Sequence, residues 1–328
     1  MHIVTEKIQQ VCKICGHLNH TAWYYPREMM FGSKDEFLYF QCTRCECLQI
    51  AEFPANISKY YPKSYYSLQE YDDKKFGKGI GSFKRLVLKA SVGKTGLFYR
   101  SLQKLFPSSQ SQLWVLNGLQ LHSDIRILDV GCGNGYKFLY PLAEAGFHGI
   151  MGCDPYIQKE INYPNGLKIL KTDVFGITGK WDVITWHHSF EHISNPLQSL
   201  KQVAALLSQD GVCIIRIPTV SSYAWHHYKT NWYQLDAPRH YFLHSVKSME
   251  YMAQHTGFKL QKVLYDSTHR QFTESERYEK GIALSAARQK GFLPFIKRKI
   301  RKFQYVKRTN YLNKAGNGDQ AAFYLVKA

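Results

Sequence analysis

The chain has 328 residues, 45% hydrophobic and 15% aromatic, and 43 Lys and Arg against 25 Asp and Glu give it a net charge of +18. This is enough apolar material for one sizeable core with a small appendage, and no run approaches the roughly 18 apolar residues of a membrane-spanning helix. The charge requires a polyanion to be weighed as a partner, and much of the excess falls in Lys74 to Lys104 and Lys297 to Arg308.

From the amino terminus, Met1 to Gln10 carries neither an apolar signal core nor a cleavage site, so the expected compartment is cytoplasmic. Cys12-x-x-Cys15 follows, then 26 intervening residues, then Cys42-x-x-Cys45. Two such pairs suit four thiolates around one tetrahedral zinc ion, whereas disulfides would need an oxidising compartment. Four thiolates leave no open position, so this zinc is expected to be structural. Cys47 competes as a ligand with poorer spacing, and Cys132, Cys153 and Cys213 read as small buried residues. The expected organisation is a zinc-binding domain over 1–70, a basic helical linker over 71–109, and a catalytic domain over 110–328 carrying a basic helical insert at about 275–315.

Ile125 to Tyr136, IRILDVGCGNGY, is a short apolar strand that stops at Asp129 and opens into Gly131-Cys132-Gly133-Asn134-Gly135. Glycines let a backbone turn tightly and approach a ligand that a Cβ would block, and the following helix offers free N–H groups. The dinucleotide fingerprint wants its third glycine where Tyr136 stands, so phosphate binding is the poorer reading. The stretch instead resembles motif I of the class I S-adenosylmethionine (SAM) dependent methyltransferases. That resemblance implies that Asp129 faces the amino acid end of SAM while the backbone of Gly131, Cys132, Gly133 and Gly135 passes beneath it.

Regular alternation of strand and helix signals follows, which predicts an α/β fold with ligand at the carboxyl ends of parallel strands. After a helix around Lys137 to Ala145, Gly149 to Cys153 is a strand ending at Asp154-Pro155. An acidic residue about 20 positions past the turn is placed to bond a ribose hydroxyl, with a solvated loop aspartate as the alternative. Leu167 to Leu170 is the next strand, and the resemblance puts Asp173 and Val174 near adenine, although Asp is also an ordinary turn residue. Trp181 to Trp186 is the fourth strand. It delivers His187, on the cofactor side, and then His188, Ser189, Phe190, Glu191 and His192 to the edge where an acceptor belongs. Asn195-Pro196 opens a helix reaching Leu206-Leu207, and Gly211 to Pro218 is the fifth strand. Ser245 caps a helix ending near Gly257, and Phe258 to Tyr265 and Gln320 to Val326 complete a seven-stranded doubly wound sheet.

Methyl transfer from a sulfonium is an in-line displacement in which positioning contributes much of the acceleration. An oxygen or carbon acceptor must also lose a proton, and histidine is the natural base. His188, Glu191, His192 and His240 are the candidates, with His240 favoured and Arg239 expected to hold an anionic part of the acceptor such as a diphosphate. A capping or packing role is the alternative for His192. The zinc knuckle, the segment Tyr60-Tyr61-Pro62-Lys63-Ser64-Tyr65-Tyr66, and Ala237-Pro238-Arg239-His240 before Ser245 together resemble methyltransferases that act on sugars. Among these are zinc-containing enzymes that C-methylate nucleotide-bound deoxysugars, and relatives in bacterial surface-polysaccharide biosynthesis.

His188-x-x-Glu191-His192 also matches the inverted zinc peptidase pattern, which needs both histidines on one helix face and not across a strand end. Ubiquinone-pathway O-methyltransferases use E-x-x-E-H there for a divalent ion, and His188 replaces the first glutamate. In the insert, Leu293, Ile296, Ile300 and Phe303 recur at helical spacing among Lys297, Arg298, Lys299, Arg301 and Lys302. Such a helix packs its stripe on the sheet, docks on an anionic membrane surface at its inner face, or contacts nucleic acid. The rival to a sugar enzyme is a zinc-containing ribosomal or transfer RNA methyltransferase. Against it, Trp186-His187-His188-Ser189 stands where base amino-methylating enzymes carry D/N-P-P-Y, and no RNA-binding module is recognisable. A non-catalytic, zinc-held interaction protein is a third reading, opposed by the intact Asp129, glycines and Asp154.

Overall fold

A computed structural model describes residues 10–18, 20–62, 112–288 and 291–328. The basic linker expected over 71–109 and the end of the tyrosine-rich segment lie outside the described residues. The first described unit is an antiparallel set of three strands, β1 (His20–Tyr24), β2 (Tyr39–Cys42) and β3 (Leu48–Ile50). Cys42 ends β2, and Cys45 lies in the turn that follows, where Glu46 adopts a positive φ of 59°.

The large sheet is built from β4 (Ile127–Val130), β5 (Ile150–Cys153), β6 (Ile161–Asn162), β7 (Lys168–Leu170), β8 (Trp181–His187) and β9 (Leu207–Pro218), closed by β11 (Phe258–Tyr265) and β12 (Gln320–Lys327). Its order is β11-β12-β9-β8-β4-β5-β7-β6. Strands β7, β5, β4, β8 and β9 are mutually parallel, so their carboxyl ends gather on one edge, and β12 lies antiparallel to β9. The expected seven strands are present, and β6 adds an eighth. It arises because Pro164-Asn165-Gly166, with Gly166 at φ +88°, folds the chain back into a hairpin antiparallel to β7.

Alternation along the strands supplies both faces of the sheet. On one face Leu128, Ile184, Cys213, Ile215, Phe323 and Leu325 pack against Leu200 and Val203 of α2 (Pro196–Leu206) and Met249 and Met252 of α4 (Val246–His255). On the other, Ile127, Val183, Val212, Ile214 and Tyr324 meet Leu139 and Leu142 of α1 (Leu139–Glu144). Helix α4 starts at the predicted Ser245, where a reciprocal capping box with Ser248 satisfies two helix-end donors.

The amino-terminal unit is knitted into this domain. After α3 (Tyr223–Tyr228) the chain returns to lay β10 (Phe242–Leu243) antiparallel to β3, completing a four-stranded sheet from both halves of the sequence. Tyr39 donates its hydroxyl to His240 O at 2.8 Å, and the four cysteines share one apolar cluster with the sheet core.

The insert holds two short helices, α5 (Arg270–Thr273) and α6 (Ser275–Glu279), and the long α7 (Phe292–Lys314). Thr309 and Leu312 anchor α7, yet Phe295, Ile296, Ile300, Phe303 and Val306 are exposed. Among the described residues, therefore, the apolar stripe does not pack on the sheet. No helix among them is long and apolar enough to cross a membrane.

Candidate active site

Asp129 is the innermost group at the sheet edge, 2% exposed, in register with Gly152 on one side and Thr185 on the other. Thr185 donates its hydroxyl to Asp129 Oδ1 at 2.8 Å. Burial, outweighing that bond and assisted by the Asp154 charge, pushes the Asp129 carboxyl up to about 8. A cationic ligand group is what would return it to the ionised state.

Gly131, Gly133 and Gly135 all take positive φ, at 69°, 58° and 72°. A Cβ on Gly131 would lie 2.5 Å from that of Ser189, so this glycine is required by space as well as by conformation. Gly131 N is spent on Cys153 O at 2.8 Å, and Cys132 N also points there, tying the turn to β5. Asp154 completes the tie: Oδ2 accepts Gly133 N and Oδ1 accepts Tyr156 N, both at 2.8 Å. Each oxygen keeps a further lone pair for a hydroxyl. Pro155 follows on the exposed rim.

Asp173 is exposed, and its Oδ1 caps the single 3-10 turn Val174–Gly176 by accepting Phe175 N at 3.0 Å, with Val174 buried beneath. Its turn role is thus visible in the geometry. His187, the last residue of β8, rests on Phe138 with ring centroids 4.5 Å apart, and neither of its ring nitrogens has a hydrogen-bond partner. Burial holds it neutral, well below the ordinary imidazole range.

Past β8, His188 adopts a positive φ of 54°, an uncommon conformation for a side-chain-bearing residue, before the 3-10 turn Phe190–His192. Both histidines of H-x-x-E-H therefore lie past the strand end, in a turn and not on one face of a helix. This turn meets the segment before β10. Glu191 is 0% exposed and has no hydrogen-bond partner on either oxygen; the nearest ring nitrogens are His188 Nδ1 at 3.6 Å and His240 Nε2 at 3.7 Å. Burial works to raise its carboxyl, but His188, His192 and His240 outweigh burial and bring it down to about 2. His192 Nδ1 lies 2.8 Å from Arg239 O and His240 Nδ1 lies 2.8 Å from Gln234 O. A carbonyl can only accept, so both Nδ1 atoms are donors and Nε2 is the basic nitrogen of each ring. His192 and His240 pack edge to face at 4.8 Å, and Tyr61 of the amino-terminal unit reaches His192 with its hydroxyl.

Arg239 corrects an expectation. It is 0% exposed, and its donors are taken by Asp236 Oδ1 and Oδ2 at 2.6 and 3.0 Å, Glu28 Oε1 at 2.8 Å and Tyr60 O at 3.2 Å. It is a buried tie between the amino-terminal unit and the segment before β10 and has no exposed face to offer an anionic ligand. Sequence reasoning missed both carboxylates. Asp236 directly precedes the Ala237-Pro238-Arg239-His240 segment, at a left-handed φ of 46°, whereas nothing around Glu28 signalled it.

The second cluster is Cys12, Cys15, Cys42 and Cys45, all buried, with sulfurs within 4.8 Å of one another and 3.5 Å apart in the pairs Cys12–Cys45 and Cys15–Cys42. Bonds of about 2.3 Å to a tetrahedral zinc would place sulfurs roughly 3.8 Å apart, so the set fits such an ion. The Cys45 hydrogen bond, helped by the Gln49 amide at 3.0 Å, lowers the Cys12 thiol to about 5. Cys47 is excluded from the set; its sulfur faces His244 Nδ1 at 3.9 Å and Leu48 O at 3.6 Å.

Residues 101–263 match the family described as a methyltransferase domain. Among curated proteins, a tRNA U34 carboxymethyltransferase of Campylobacter jejuni is 25% identical over 148 residues, 42% of this chain and 50% of that protein. The chain thus spans about half the length of the curated relatives it matches. Solved structures with a similar fold include a cyclopropane synthase from Mycobacterium tuberculosis, at 17% identity over 64% of this chain and 80% of that one, with a TM-score of 0.40. Another is the magnesium protoporphyrin IX methyltransferase of Synechocystis with bound SAH, at 18% identity over 60% and 91%, with a TM-score of 0.38. The glycine turn, the strand order and the family match agree, and the chain carries an enzyme domain of the class I, SAM-dependent methyltransferase kind.

Proposed function

We propose that the protein transfers a methyl group from SAM to a sugar, nucleotide-linked or lipid-linked, or to a related small acceptor in surface-glycan or deoxysugar biosynthesis. The observation that carries the reading is the cluster Glu191, His192 and His240, on the same sheet edge as the glycine turn, with two imidazoles held in the tautomer that leaves Nε2 basic. Ser189, two residues before Glu191, donates its hydroxyl to Val130 O at 2.7 Å beside the glycine turn, so the acceptor end and the cofactor end are neighbours. Asp129 takes the ammonium of SAM, Asp154 the ribose, and a pinned imidazole receives the acceptor's proton. Zinc in the four-cysteine set is structural: it fixes the unit from which Tyr61 reaches the acceptor wall.

Two surfaces bear on where the acceptor comes from. The exposed Phe295, Ile296, Ile300 and Phe303 of α7, interleaved with Lys297, Lys299, Arg301 and Lys302, suit an anionic membrane carrying lipid-linked sugars. The net charge of +18 and the similarity to a tRNA-modifying enzyme favour an RNA acceptor as the second reading. The deciding experiment incubates the full chain with labelled SAM and, in parallel, nucleotide sugars, polyprenyl-linked glycans and total RNA. Label in either glycan pool supports the proposal. Label in RNA alone reverses it.

A further inference from the structure

Glu191 is unusual among the buried carboxylates of the acceptor wall. Glu28 accepts three backbone N–H groups, from Phe31, Gly32 and Ser33, as well as Arg239, and Asp236 is bidentate with Arg239. Glu191 has no hydrogen bond on either oxygen while being 0% exposed. An ionised carboxylate stripped of water in this way is destabilising by several kcal/mol unless a positive partner is supplied. Arg239 is the guanidinium among three carboxylates, buried Glu28 and Glu191 and partly buried Asp236, and four of its five N–H donors are already used. With neutral imidazoles the wall therefore carries an excess of two negative charges.

The surroundings point to the partner. One ligand atom each from Glu191, His192 and His240 lies within 4.8 Å of the others. Bonds of about 2.1 Å would bring ligand atoms on one ion to roughly 3.0–3.5 Å, a closing within reach of side-chain rotation. Both histidines donate Nδ1–H to a backbone carbonyl, the supporting bond by which metal-binding imidazoles are oriented and made more basic. His188 Nδ1, 3.6 Å from Glu191 and on a half-exposed side chain, stands at the rim.

We propose that Glu191, His192 and His240 are a second metal site, taking a divalent first-row transition ion through two imidazoles and a carboxylate. Three protein ligands leave positions open, the arrangement of a catalytic and not a structural site. With the ion bound, the Nε2 atoms of His192 and His240 would be its ligands, so an acceptor hydroxyl on the ion, which would lose its proton more readily, would pass it to His188 at the rim and not to either pinned imidazole. The site differs from the four-cysteine set in ligand type: it holds nitrogen and oxygen donors, where the other holds only sulfur. This inference rests on the reading of the cluster as the acceptor end of the site.

The test is a Co2+ titration of the full chain, purified with its cysteine set already loaded with zinc and followed by visible absorption. Expected is a saturable signal of about one Co2+ per chain with ligand-field bands and no sulfur-to-cobalt charge transfer, weakened tenfold or more in both Glu191→Gln and His240→Gln. Thermal melting and SAM calorimetry on the same variants report whether they fold. The same titration curve for wild type and for folded Glu191→Gln and His240→Gln would overturn the site, as would no cobalt signal in wild type. Cobalt binding with no label transferred to any acceptor pool would leave the metal site standing and defeat the proposed function. Label transfer that persists without cobalt binding and in the presence of chelator would do the reverse.

Discussion

Replacing Arg239 by Met separates a structural tie from an acceptor grip. The guanidinium is 0% exposed and bridges Glu28, itself 0% exposed, and Asp236. Met keeps the stem's volume but leaves the buried Glu28 and the partly buried Asp236 without their cation. Glu28 retains three backbone N–H donors and so loses only part of its compensation, whereas Asp236 loses a bidentate partner and is left with His240 Nε2 at 3.8 Å. Breaking one buried pair costs about 3–5 kcal/mol, and the Glu28 donors argue for the lower half of that range. Against a total stability of about 5–15 kcal/mol this is a large fraction, and it lowers Tm by roughly 10 °C. Circular dichroism melting reads the loss. A cycle with Glu28→Gln and the double variant should return a coupling of about 2 kcal/mol, because the two side chains act as one unit. The reasoning is refuted if Arg239→Met melts within 2 °C of wild type while acceptor KM rises, since the guanidinium would then be serving the acceptor.

Three further outcomes follow from the site. Metal analysis should find about one zinc per chain, absent from a Cys12→Ser, Cys42→Ser double variant; a wild-type chain without zinc would defeat the four-cysteine reading. Asp129, at about 8 in the free protein, is mostly protonated at pH 7, so binding the SAM ammonium should release most of one proton; calorimetry in buffers of different ionisation enthalpy measures this, and no buffer dependence would refute it. Burial lowers the His244 imidazole from 6.5 to about 3. The neutral form is therefore favoured by folding, a contribution fully present above pH 6.5 and lost as pH falls toward 3, about 3 kcal/mol of it by pH 4. Urea unfolding of His244→Gln should show a correspondingly shallower loss between pH 6.5 and 4, and an unchanged slope would sink the assignment.

The sequence by itself determined whatever depends on neighbours along the chain. The strand-turn at Asp129 to Gly135 was legible because positive φ at closely spaced positions demands glycine, and Ser245 because a helix start needs a side-chain acceptor. The two Cys-x-x-Cys pairs were legible because each is a local turn, and the fold brings their four sulfurs together. Only the tertiary structure decided the rest. That Arg239 would be spent on Glu28, 211 positions away, cannot be read from either residue, since a buried ion pair is specified by where two surfaces meet. The same holds for β10 pairing with β3, for Tyr61 reaching His192, and for the solvent-facing stripe of α7, whose periodicity is the same whether it packs or is exposed. The cluster around Glu191 belongs to this second class because it is assembled from three separate stretches of chain, carrying Tyr61, His192 and His240. The glycine turn between Asp129 and Asp154 was therefore readable in advance, whereas for Glu191, His192 and His240 the sequence offered the members and only the folded chain showed that they converge.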